Sequence, residues 1–87
     1  MRKVAIVTIW GYDCPEDQAV FDSAHSSFDN AVKHVVELIT KSLELTPVFT
    51  VKGSENGLEY TTVSCGMSTE TPVHFNVNEN YLYSSNE

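Results

Sequence analysis

The stretch from Ser26 to about Leu45 constrains this chain most, because it is the one segment with a sustained helical period. Phe28, Ala31, Val32, Val35, Val36, Ile39 and Leu43 recur three and four apart and form a single apolar stripe. Lys33, His34, Glu37, Thr40, Lys41 and Glu44 occupy the opposite side, with Lys33, Glu37 and Lys41 spaced to pair along it. Ser26 or Ser27 is suited to cap the N-terminus, and Asp29 and Asn30 place oxygen acceptors in the first turn. Pro47 requires the helix to have ended before it. With one helix available, every other segment has to pack on it.

The other segments read as strands. Lys3 to Trp10 is β-branched and apolar on both faces, with Val4, Ile6 and Trp10 on one and Ala5, Val7 and Ile9 on the other. Gly11 to Asp17 is a loop carrying Asp13, Glu16 and Asp17, and Gln18 to Asp22 offers a short second strand. After the helix, Val48 to Gly53 and Leu58 to Cys65 flank Asn56-Gly57, a strong hairpin signal. Pro72 to Val77 alternates Val73, Phe75 and Val77 against His74 and Asn76. Residues 78–87 are mostly polar and read as an added edge strand or a loose tail. The expectation is a single α+β domain of order β-β-α-β-β-β. Its antiparallel sheet has four to five strands, with one amphipathic helix packed on one face.

One helix covers one face of such a sheet. The smaller residues Ala5, Val7 and Ile9 suit the helix side, which turns Val4, Ile6, Trp10 and Tyr12 to the other. Apolar surface of that extent usually marks an interface, so a second copy or a partner protein is expected there. Twelve acids against five bases give a formal net charge of −7. That balance disfavours binding to phosphate backbones and favours encounter with a basic partner. Trp10, Tyr12, Asp13, Glu16 and Asp17 gather aromatic and acidic groups at one end of the first strand and form the candidate partner-binding set.

Other chemistries lack their signatures. Cys14, His25, His34, Cys65 and His74 are too widely spaced for a metal motif, so neither metal nor cofactor is expected. Cys14 sits among carboxylates, which disfavour a thiolate, and Cys65 falls in a strand as a packing residue. No Gly-x-Ser-x-Gly, calcium loop or phosphate-binding glycine loop occurs, and no enzyme is expected. Met1-Arg2-Lys3 is followed by too short an apolar run, without a cleavage site, for a signal peptide. Two cysteines make no disulfide framework, and the reading is a cytoplasmic protein with reduced thiols.

Val20-Phe21-Asp22-Ser23 followed by the alanine-bearing helix from Ala31 to Ile39 resembles a layout found in small phage-encoded proteins: a strand, Val-Phe-x-Ser/Thr, a helix, then hairpins. The resemblance is one of layout, covers about the first half of the chain and carries over no functional residue. It implies an acidic, non-enzymatic inhibitor of the anti-CRISPR or anti-restriction type, which blocks a basic nucleic-acid-handling host protein with carboxylates in place of phosphates. The alternative is a homodimeric structural or regulatory domain that pairs through the open sheet face, with acidity serving solubility alone.

Overall fold

A computed structural model describes residues 2–11 and 14–82. Five strands and one helix follow in the order β1 (Arg2–Gly11), β2 (Val20–His25), α1 (Phe28–Glu37), β3 (Val48–Glu55), β4 (Leu58–Cys65) and β5 (Val73–Leu82). All pairings are antiparallel, and the strands lie side by side as β2-β1-β5-β4-β3. The expected α+β class, strand sequence and single helix are all present.

The last strand differs most from expectation. β5 does not end at Val77 but runs to Leu82, and it lies in the middle of the sheet. It pairs with β1 without a break from Gly11↔Val73 to Arg2↔Leu82. Residues 78–82 are therefore neither an edge strand nor a tail, and residues 83–87 lie outside the described part. The pairing partner overrides the weak strand preference of Asn78, Glu79 and Asn80. β2 starts at Val20 rather than Gln18, because Glu16–Gln18 form a 3-10 turn. The β3–β4 turn is as the sequence indicates. Asn56 and Gly57 adopt φ of 56° and 78°, the left-handed pair that a two-residue hairpin turn of matching twist requires.

Ser27 caps α1 by accepting the Asn30 backbone N–H at 3.1 Å. The regular helix is shorter than its apolar stripe suggests. After Glu37 the backbone widens into a π-helical turn, Leu38–Ser42. There the Thr40 hydroxyl donates back to the Val36 carbonyl at 2.8 Å, a side-chain bond that competes with the helical ladder. Glu44, at φ 55°, ends the helical path, and the Leu45 N–H returns to the Ile39 carbonyl at 3.0 Å. The stop thus lies three residues ahead of Pro47, and Leu43 is left exposed instead of joining the stripe.

α1 packs across β1, β5, β2 and β4, and β3 lies largely beyond its reach. Ala5, Val7, Val63, Phe75 and Val77 from the sheet meet Ala31, Val35 and Ile39 from the helix, all nearly or fully buried. Ala5 and Ala31 let the backbones approach, and Phe75 fills the centre. Each buried Val, Ile or Phe contributes roughly 1.5–3 kcal/mol. Lys33, Glu37 and Lys41 form no ion pair among the described residues. Among the described residues the one within range is His34 Nε2 to Asp22 Oδ2, at 3.1 Å.

Candidate functional site

The sheet has one covered face and one open face, and register assigns residues to each. Buried Ala5 and Val7 fix the helix side of β1, so Val4, Ile6, Thr8 and Trp10 point to the open side. Their β5 partners are Asn80, Asn78, Asn76 and His74. These pair onward with Tyr60, Thr62 and Ser64 of β4. Val48, Thr50, Val51 and Gly53 of β3 extend the same face, with an irregularity in register at Thr50. Phe21 and Ala24 of β2 close the other edge. The expected division of β1 between its two faces is what the structure has.

Trp10 is half-buried on this face and is held by two neighbours. Its ring stacks on His74 with centroids 4.2 Å apart and planes 22° from parallel. Its Nε1–H donates to Asn76 Oδ1 at 2.9 Å, and the Thr62 hydroxyl donates to the same oxygen at 2.9 Å. Asn76 Nδ2 in turn donates to Glu16 Oε2 at 2.8 Å. One amide therefore joins Trp10 of the first strand to Glu16 of the following turn, two members of the candidate set. His74 is fixed from behind, its Nδ1 2.6 Å from the hydroxyl of Ser64 and that hydroxyl 3.2 Å from Thr50. Ser64 is fully buried, so its oxygen orients the imidazole and presents nothing to a solute.

Asp17 is exposed in the same 3-10 turn as Glu16. Tyr12 and Asp13 lie outside the described residues. The turn is anchored by the Gly11–Cys14 backbone pair and by the Cys14 thiol, which donates to the Gln18 carbonyl at 2.9 Å. The β1–β2, α1–β3 and β4–β5 connections all meet at this end of the sheet. Their described residues include Glu16, Asp17, Glu44 and Glu70, against the single base Lys41.

Charge is partitioned sharply over the open face. Between its two ends, the positions from Val4 to Trp10, His74 to Leu82, Leu58 to Ser64 and Val48 to Gly53 that point outward carry no Lys, Arg, Asp or Glu. Charges stand at the rim, with Glu16 at one end and Arg2 and Glu55 at the other, where Glu59 and Glu79 also border the gap between β4 and β5. The face is less apolar than expected, since amides and hydroxyls of β4 and β5 intersperse Val4, Ile6 and Trp10. Sequence reasoning missed Asn76, Thr62 and Ser64 as the residues that hold Trp10. The signal present was the alternation of His74 and Asn76 against buried Phe75.

A second polar cluster lies on the covered side, where β2 meets α1. Asp22 Oδ2 accepts the Ser23 hydroxyl at 2.7 Å and lies 3.1 Å from His34 Nε2. The Ser23 hydroxyl is also 2.9 Å from His25 Nε2, and the two imidazoles lean together at 4.8 Å. These bonds tie the edge strand to the helix. Among the described residues, no three His, Cys, Asp or Glu side chains converge as metal ligands. Cys14 and Cys65 are free thiols, and burial pushes the Cys65 thiol up from its ordinary value against a smaller opposing hydrogen bond at Val73. Among the described residues, no helix is long and apolar enough to cross a membrane.

No protein-family model, curated protein or solved structure shows significant similarity to the chain.

Proposed function

We propose that this chain is a non-enzymatic binding protein that docks on a basic, nucleic-acid-handling protein and inhibits it. The docking surface is the open sheet face together with its acidic end. The supporting observation is the partition of charge. A chain of net charge −7 keeps the interior of one whole sheet face free of charged residues and gathers acids at the margin. Interfaces have that anatomy, with a core depleted in charge, aromatic anchors and a polar rim. Trp10 is the anchor, pre-set by His74 and Asn76, so little side-chain entropy is lost when it is covered. Glu16 and Asp17 steer a basic partner toward it and occupy positions that phosphates would otherwise take. Cytoplasmic location belongs to this reading.

The test is affinity capture. The immobilised chain is exposed to bacterial lysate at low and at moderate salt. A basic nucleic-acid-binding protein retained at low salt and released by moderate salt is the expected result. The triple variant Asp13→Lys, Glu16→Lys, Asp17→Lys should lose that protein while keeping its circular dichroism. Retention by the triple variant refutes the acidic-end docking.

A second reading has its own observation. β3 is an edge strand largely beyond the reach of α1, and Val48, Phe49 and Val51 on it are each more than two-fifths exposed. Edges of that kind pair with other chains. A homodimer in light scattering, with no partner retained from lysate, would favour a self-associating domain.

A further inference from the structure

At the hairpin end of the open face the sheet divides. Pairing between β4 and β5 stops at Tyr60↔Asn78, while β5 continues beside β1 to Leu82. Beyond that point the Glu79 carboxylate accepts the Glu59 backbone N–H at 2.9 Å, where a ladder bond would otherwise be. A shallow groove of about 590 Å³ lies there, with Ile6, Tyr60, Asn78 and Asn80 in its lining.

Two constructional features of this groove bear on what it can hold. The first is the placement of Tyr60. Its strand partner is Gly53, and a Cβ at Gly53 would stand 2.7 Å from the ring's Cε1 and still closer to Cζ and the hydroxyl. The ring lies across bare glycine backbone. One face is thereby seated on the sheet and the other is turned toward solvent, with the residue 37% exposed. The second feature is the pair Asn78 and Asn80. They project from the central strand, both are exposed, and neither side chain has a hydrogen-bond partner among the described residues. Asparagine is a poor strand former, so two at alternate positions of a central strand weaken it and return no contact within the fold.

The chemistry of the lining is selective. A primary amide donates and accepts at once, as a pair of neighbouring hydroxyls does. Glu55, Glu59 and Glu79 also line the groove and no Lys or Arg does, which disfavours phosphate, sulfate and other anions. From these features we infer that the groove binds a neutral saccharide. The apolar C–H face of one pyranose ring rests on Tyr60, and its hydroxyls share the amides of Asn78 and Asn80. These two side chains start about 7 Å apart, at two strand residues of roughly 3.4 Å each. Ile6 supplies apolar floor beneath. A groove this open gives affinity of about millimolar order for one sugar ring.

This site is separate from the docking end. Trp10 stands four residues along β1 from Ile6, about 14 Å away at the usual strand rise. The inference does not depend on the inhibitor reading, because saccharide binding and capture of a basic partner are read in separate assays.

The experiment is an amide-resolved NMR titration of the whole chain. The probes are methyl glycosides of glucose, galactose, mannose and N-acetylglucosamine, each carried to tens of millimolar. At least one glycoside should produce saturable shifts centred on Tyr60 and on the side-chain amides of Asn78 and Asn80. Tyr60→Ala should weaken binding tenfold or more. The double variant Asn78→Thr, Asn80→Thr places better strand formers in β5, so it should melt higher than the native chain while losing the shifts. Absence of saturable shifts with all four glycosides, shifts centred elsewhere, or full binding by the double threonine variant would each overturn the assignment. A response confined to an extended peptide added as a control would do so as well.

Discussion

Replacing Asn76 by alanine tests how Trp10 is held. The substitution deletes the oxygen that accepts both the Trp10 indole N–H and the Thr62 hydroxyl, each at 2.9 Å. A hydrogen bond of this kind contributes about 1 kcal/mol net, so the pair amounts to ~2 kcal/mol. The third bond, to exposed Glu16, adds little because water replaces it. Against a total stability of about 5–15 kcal/mol, ~2 kcal/mol is a large fraction. In a domain of this size it lowers the melting temperature by roughly 8–16 °C. Alanine at a strand position also changes local preference, so the single variant is not enough. Trp10→Phe keeps a ring against His74 and removes the indole N–H. A urea series on Asn76→Ala, Trp10→Phe and the double variant, followed by far-ultraviolet circular dichroism, gives the coupling between them. The expected coupling is about 1 kcal/mol. A value below about 0.3 kcal/mol, the scatter of independent sites, would refute the claim that Asn76 fixes Trp10.

Further expectations follow from other parts of the fold. Ser27→Ala removes the α1 cap and should cost about 1 kcal/mol, seen as a fall of roughly 4–8 °C in melting temperature. Phe75→Ala empties the centre of the core at about 3–5 kcal/mol, and its urea midpoint should collapse toward that of an unfolded chain. The raised Cys65 thiol favours the protonated form in the folded state. Its contribution is complete below the ordinary thiol range and is lost as pH rises through that range toward the folded value. Cys65→Ala should therefore flatten the loss of stability between about pH 8 and 10, read from urea midpoints. A chain cut after Val77 should fail to fold by circular dichroism, because Asn78 to Leu82 supply half of the β1–β5 pairing.

Much of the architecture was legible because local signals and long-range needs agreed. The Phe28–Ile39 period, the Asn56-Gly57 turn and the two apolar faces of β1 each point to one arrangement. Where they disagreed, the sequence misled. Asn78, Glu79 and Asn80 lack strand preference, and only the ten-residue register with β1 makes them a strand. Thr40 is neutral by propensity, yet its bond to the Val36 carbonyl accompanies the widening of the helix that leaves Leu43 outside the core. The candidate site was half legible. Trp10 and Glu16 were found from composition at a strand end, and the structure joins them. What joins them, Asn76, lies 66 residues from Trp10 in the chain, and no local pattern relates the two.

The position of β5 has a consequence for how the molecule comes into being. β5, the fifth of the described strands, is inserted between β1 and β4, so before it emerges the earlier strands form two hairpin-like halves with no edge in common. The β1–β2 half carries the helix after it, and the β3–β4 half has no layer of its own. Every pairing of β5 with β1 joins residues more than sixty positions apart. Closing so long a loop is unfavourable until many contacts form together, and chains dominated by such pairings fold slowly. During synthesis the β1 and β4 edges that flank the missing strand stay open until residue 82 has left the ribosome. Expression below full growth temperature, which slows synthesis and weakens hydrophobic association of the open edges, should raise the soluble fraction of this chain.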